Sequence, residues 1–286
     1  MKPNHGLEDV VKSRPLQHDE SGVLVSLARE QAGWPTISFA VHRRAEGQVW
    51  QGNTGEEEVA LVLLGGVLSI DWGEGFKTVG GRMDVFSGYP HAVYLPCRTS
   101  FEVRALTKVE LAEARVPSQA PLHAFVVTPD QVTCEIRGGG NATRQILYIL
   151  PPGAEADKLL ICEVFSPSGN WSSYPPHKHD VHNPPAEVDL DEIYYFRIDH
   201  PDGFAFQRLY NSTDTRDATI TARDGDIVLI RDGYHPVVAA PGYRVYYLNV
   251  LAGSARSMAA SDDPRYVHIR RNWPPADARV PVVNRD

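Results

Sequence analysis

From Val23 onward, apolar residues fall in short alternating or continuous runs broken by Gly, Pro, Asn and Asp, and no long stretch keeps a helical period. Residues 36–43, 59–64, 66–72, 93–96 and 101–105 read as strands bounded by turn residues. So many short strands predict an all-β fold, a sandwich or barrel. Two short helices are expected, at residues 7–12 and 252–260.

The pattern changes over residues 116–141, where Pro117, Pro121, Pro129 and the run Gly138-Gly139-Gly140 separate two strand-rich halves. The expected modules are residues 1–125 and 126–286. The glycine run is read as a turn or linker, because no Lys-Ser/Thr follows it as a phosphate loop requires. The halves also carry a faint repeat. Glu58-Val59-Ala60-Leu61-Val62 matches Glu192-Ile193-Tyr194-Tyr195-Phe196, and Val93-Tyr94-Leu95 matches Val228-Leu229-Ile230, at nearly one spacing. On that alignment Ser100 stands where the second half has His235, and Arg43 and Ala45 stand near the counterpart of the later His-x-His. The first module is therefore expected to lack a metal site.

Composition narrows the classes. The chain has 286 residues and a formal charge of -8, which argues against a nucleic-acid or anionic-membrane binder. Three cysteines without C-x-x-C spacing make no disulfide framework. A polar N-terminus and the lack of a long uncharged apolar stretch imply a cytoplasmic protein.

The chemistry concentrates in the second half. In extended backbone His177 and His179 share a face while Lys178 points away, so His177-Lys178-His179 supplies two imidazoles to one side. Glu192 follows at a strand start, after a proline-containing insertion, and His235 follows the turn Asp232-Gly233-Tyr234. Three imidazoles and one carboxylate can hold a divalent cation and leave positions open. Their order fits the two-motif pattern of the cupins. Because the insertion lengthens the usual spacing, Glu187 is an alternative ligand; Asp180 is a weaker one, since it faces away from the imidazoles.

Residues 172–180, 192–198, 203–210 and 232–253, with Asp262-Asp263-Pro264, resemble the 5-deoxy-glucuronate isomerase family of inositol catabolism, which is related to the 4-deoxy-5-ketouronate isomerases. The resemblance covers most of the chain. It implies a bicupin of two jelly-roll modules, and isomerisation of 5-deoxy-D-glucuronate to 5-dehydro-2-deoxy-D-gluconate. Arg231 departs from it, standing where proline is expected, and should loosen the turn before His235. Metal ligands would be His177, His179, Glu192 and His235, holding one ion of Zn, Mn or Fe.

Such an isomerase needs the cation to polarise the carbonyl, a group to move the proton, and an arginine to hold the substrate carboxylate. Gln207 and Arg208 lie on opposite faces of one strand, so only one looks into the barrel; Arg208 inside would be the carboxylate clamp. Tyr247 and Asn249 share a face, and Tyr247 is the acid/base or hydrogen-bonding candidate, or else a packed barrel tyrosine. Two other readings stand beside the isomerase: an Fe(II) cupin dioxygenase and a non-catalytic sugar-binding bicupin. The expected partner is a small sugar acid, with a homo-oligomer possible.

Overall fold

The computed structural model describes residues 9–13, 21–213 and 215–285, which fall into two compact units. Among these residues one unit comprises 9–12, 134–148, 160–213 and 215–283, the other 13, 21–133, 149–159 and 284–285. The chain thus enters each unit more than once, where a single cut near residue 125 was expected.

In the first unit, the larger sheet runs in the order Val10–Val11, Ile227–Ile230, Leu190–Ile198, Val245–Gly253, Leu160–Ser166, Arg144–Leu150, Thr133–Arg137. A four-stranded sheet runs Trp171–Ser172, Val237–Ala239, Ala205–Tyr210, Asp217–Ala222. Both contribute to one core. Tyr194, Phe196, Ile198, Val228, Ile230 and Tyr247 from the larger sheet pack with Ala205, Leu209, Val237 and Ala239 from the smaller. Along each strand, alternate residues therefore look into the barrel. The faces not turned to this core are buried too on Leu190–Ile198 and Val245–Gly253, which explains why these strands read as near-continuous apolar runs.

The second unit repeats the plan. Its larger sheet runs Phe125–Val127, Ala92–Leu95, Glu57–Gly65, Val109–Pro117, Ser38–Arg44, Gly22–Leu27, and its smaller one Val49–Asn53, Ser100–Ala105, Val67–Asp71, Lys77–Gly80. Apart from the edge strand Thr133–Arg137, which has no counterpart in the second unit's six strands, this is the order of the first unit. The all-β bicupin and its internal repeat are therefore present, but the alignment of Glu58 with Glu192 is off by one. Val59, Leu61 and Leu63 are the core residues of Glu57–Gly65, whereas Tyr194, Phe196 and Ile198 are those of Leu190–Ile198. By parity Glu57, not Glu58, shares the inward face as Glu192 does, since a one-residue slip reverses every side chain. Glu58 faces the other way and accepts the backbone N–H groups of Asp157, Lys158 and Leu159 and the hydroxyl of Tyr94.

The counterpart of the His-x-His segment also moves. It lies between Val49–Asn53 and Glu57–Gly65 by strand order, not at Arg43 and Ala45; Arg43 lies within Ser38–Arg44 and binds Glu110. The proline insertion of the second half displaced the alignment.

Neither expected helix forms among the described residues. Val10 and Val11 make a strand on Ile227 and Val228, and residues 7 and 8 lie outside the described residues. Ala252 and Gly253 end a strand, and 254–260 are irregular. The helices are Arg29–Ala32 and Val267–Arg271, too short for a periodic pattern to announce. Among the described residues no helix is long and apolar enough to cross a membrane. The glycine run is a turn between Thr133–Arg137 and Arg144–Leu150, and a Cβ on Gly139 would sit 2.0 Å from the Pro274 carbonyl.

Candidate metal centre

The site lies at one end of the first unit's barrel, where strand parity and two loops meet. His177 opens the short strand His177–Lys178, paired with Ser261–Asp262. Glu192 is an inward residue of Leu190–Ile198, in register with Ile230 on one side and Leu251 on the other. His235 follows the Gly233 turn and is fully buried. The candidate ligand nitrogens of His177, His179 and His235 lie within 4.8 Å of one another. Glu192 Oε2 is 2.9 Å from His179 Nε2 and 3.4 Å from His235 Nε2.

Two atoms bound about 2.1 Å from one cation lie about 3.0–3.4 Å apart at octahedral to tetrahedral angles, which is close to the two Glu192 distances. The outer nitrogens are already committed. His179 Nδ1 donates to the Leu190 carbonyl at 3.1 Å and His235 Nδ1 to the Gly233 carbonyl at 3.0 Å. Each bond directs an Nε2 lone pair inward, the arrangement that metal-bound imidazoles use. His235 Nε2 is buried with no hydrogen-bond partner among the described residues. An orphaned imidazole nitrogen beside a buried carboxylate fits a divalent first-row cation.

The electrostatics agree. Burial, with His179 nearby, pushes the His177 pKa down to about 3, and burial also holds His235 well below its ordinary value. Both are neutral donors at neutral pH. Burial pushes the Glu192 carboxyl up; burial would push His179 down, but the adjacent Glu192 carboxylate pushes it up.

The remaining candidates separate cleanly. Glu187 is no ligand: Lys178 Nζ binds it at 2.7 Å, and it accepts the N–H groups of Asp180 and Val181. Lys178 turns from the imidazoles toward Asp180 and Glu187. Arg208 is not a clamp in the pocket. Ala205 and Leu209 pack into the core and Gln207 shares their face, so Arg208 lies on the opposite face, where it pairs with Asp217 at 2.6 Å and lies over the Tyr210 ring. Gln207 is fully buried behind the site, its Nε2 donating to the His235 carbonyl at 3.4 Å. Arg231 does not loosen its turn, because it is buried and binds Asp9 at 2.8 Å.

Tyr247 and Asn249 do share a face, and both line a cavity of about 230 Å³ with His177, His179 and Glu192. Burial pushes the Tyr247 hydroxyl up to about 12, which keeps it a neutral phenol. Asn249 Nδ2 is buried without a partner among the described residues. Ser173, with φ +50°, also lines the cavity and bonds Tyr194. Three guanidinium groups complete the wall: Arg137, Arg144 and Arg270. Arg137 binds Glu135 and Tyr148, and Arg270 binds Asp262. Burial pushes Arg144 down to about 10, so it remains charged at neutral pH. Sequence reading missed all three. A signal existed for Arg144, since parity along Arg144–Leu150 aligns it with Ile146, a core residue.

Residues 10–269 match the family model described as KduI/IolB. The chain is 45% identical over 248 residues to a 5-deoxy-glucuronate isomerase of Geobacillus thermodenitrificans, spanning 86% of this chain and 90% of that protein. It is 36% identical to the 5-deoxy-glucuronate isomerase of Bacillus subtilis strain 168, spanning 82% and 87%. The crystal structure of an IolB-like protein from Salmonella typhimurium LT2 superposes with a TM-score of 0.87 at 34% identity, over 92% of this chain and 99% of that one. A Bacillus subtilis oxalate decarboxylase gives 0.61 at 11% identity over 89% and 78%, a likeness of fold alone. Two repeated β modules, a histidine and glutamate cluster in one of them, and a match over nearly the whole chain have one reading: the protein belongs to the KduI/IolB family.

Proposed function

We propose that the chain is a metal-dependent aldose–ketose isomerase that converts 5-deoxy-D-glucuronate to 5-dehydro-2-deoxy-D-gluconate in myo-inositol catabolism. The observation that carries this reading is the meeting of Glu192 with His179 and His235 at the end of a cavity walled by arginines, in a chain whose relatives are named isomerases. Those names set it above the dioxygenase and storage readings.

His177, His179, Glu192 and His235 would hold the cation, which when bound polarises the aldehyde and makes the neighbouring C–H more acidic. The chain's own residues do the rest. The neutral Tyr247 hydroxyl donates to the carbonyl oxygen that becomes the product's hydroxyl. Asn249 Nδ2, without a partner among the described residues, supplies a second donor to the oxygen that gains charge. The reaction is internally balanced: one proton leaves C2 and one arrives at C1, and the proton that the C2 hydroxyl gives up as it becomes a carbonyl replaces the one Tyr247 donates to the C1 oxygen as the aldehyde becomes an alcohol. Gln207 and the Gly233 carbonyl hold His235 in place from behind.

The test is an aldehyde-to-ketone assay on 5-deoxy-D-glucuronate with protein as purified, after chelation and after return of Zn, Mn or Fe(II). Turnover that vanishes on chelation and returns with one of these ions is expected. Full turnover by metal-free protein, or none under any condition, overturns the reading.

A further inference from the structure

Arginines of the first unit hold carboxylates on their Nε–Nη2 edge: Arg137 on Glu135, Arg208 on Asp217, Arg265 on Asp263, Arg270 on Asp262 and Arg279 on Asp277. Arg144 is different. It is more deeply buried than these, at 4% exposure, and no carboxylate pairs with it among the described residues. Its Nη1 is anchored by the carbonyls of Tyr174 at 2.9 Å and Ala142 at 3.2 Å. Its Nε and Nη2 have no hydrogen-bond partner among the described residues, and the residue lines the cavity that contains His177, His179 and Glu192.

A buried charge without a counter-ion is unfavourable, and the arrangement makes sense if the counter-ion arrives with the ligand. The open edge is the one that matches a carboxylate with two parallel bonds. Anchoring Nη1 on two carbonyls fixes the guanidinium plane before the ligand enters. The neighbouring Arg137 and Arg270 already have Glu135 and Asp262, which leaves Arg144 as the unmatched cation of the cavity.

We propose that Arg144 binds the substrate's carboxylate through Nε and Nη2 and so selects uronic acids over neutral aldoses. This rests on the isomerase reading for its kinetic arm, but not for its binding arm. The aldehyde end would lie toward the histidines and the carboxylate end at Arg144, which fixes the polarity of the sugar in the cavity.

The kinetic arm compares 5-deoxy-D-glucuronate with the aldose that carries CH2OH in place of its carboxylate, using wild type, Arg144→Lys and Arg144→Met. Wild type should prefer the acid by about 10- to 100-fold in kcat/KM. The preference should collapse in Arg144→Met, mainly through KM for the acid, and partly return in Arg144→Lys. The binding arm titrates D-glucuronate into metal-stripped wild type and Arg144→Lys by calorimetry. Lysine keeps the charge and fold while losing the fork, so weaker binding is expected there. A wild type indifferent to the carboxylate, or equal acid preference or equal D-glucuronate affinity in a folded variant, overturns the proposal. Absence of turnover by wild type would instead count against the isomerase reading and leave the binding arm to decide Arg144.

Discussion

Asp180 Oδ2 accepts the backbone N–H of Gly233 at 2.8 Å. That bond ties the segment carrying His177 and His179 to the turn that presents His235, and the Gly233 carbonyl in turn holds His235 Nδ1. Lys178 Nζ bonds the other Asp180 oxygen at 2.5 Å and Glu187 at 2.7 Å, so the group of Lys178, Asp180 and Glu187 braces the site from outside. Outer groups of this kind change metal affinity by about 10- to 100-fold. Asp180→Ala should weaken cation binding by that amount, and its lost activity should return with excess metal. Unchanged affinity in a calorimetric titration would remove Asp180 from the account.

Tyr247→Phe separates chemistry from packing. The phenyl ring keeps its place against Tyr194 and Phe196, whose centroids lie 4.7 Å and 5.5 Å away. Removing a positioned proton donor costs about 100-fold or more in rate. Steady-state kinetics should show kcat reduced by at least that factor, with KM and bound metal near wild type. A variant with wild-type kcat would make Tyr247 a packed barrel tyrosine.

Arg208→Ala should leave activity within about twofold of wild type. Its side chain is 39% exposed and pairs with an Asp217 that is 53% exposed. Such pairs contribute about 0–1 kcal/mol. A large rise in KM for the sugar acid would mean that the outward placement of Arg208 is wrong.

The other unit has a different tenant at its inward strand face. Glu57 binds Arg29 and Arg115, and Glu113 binds Arg115 and His42. Burial opposes ionisation of Glu113, but the His42 hydrogen bond and the Arg115 guanidinium outweigh it and hold its pKa at about 2. A depressed carboxyl stabilises the fold fully above its ordinary value near 4.5, and loses that contribution as pH falls toward about 2. The contribution is on the order of 3 kcal/mol. Denaturant melts of wild type and Glu113→Gln should differ most at neutral pH and converge as pH falls from 4.5 toward 2; a gap independent of pH would contradict the assignment.

Parity and order made much of the site legible in advance. His177 and His179 on one face, Glu192 at a strand start and His235 after a glycine turn follow from period-two alternation and turn chemistry. What alternation could not say is which face is inside. Gln207 and Arg208 were an even pair until the buried Ala205 and Leu209 settled the question, and Glu58 matched Glu192 in letters while facing the opposite way. Arg144 went unnoticed for a related reason: its strand's place in the sheet comes from long-range pairing, and a charged strand-opening residue ordinarily reads as solvated. The short helices escaped because four or five residues carry no period.

The central claim is that four side chains from three separate stretches hold one cation. Calorimetric titration of the metal-stripped protein with Zn, Mn and Fe(II), for wild type, His235→Ala and Glu192→Gln, tests it directly. One equivalent per wild-type chain for at least one ion, with affinity lowered at least 100-fold in both variants, is the expected result. Stoichiometric binding of undiminished affinity in either variant would contradict it.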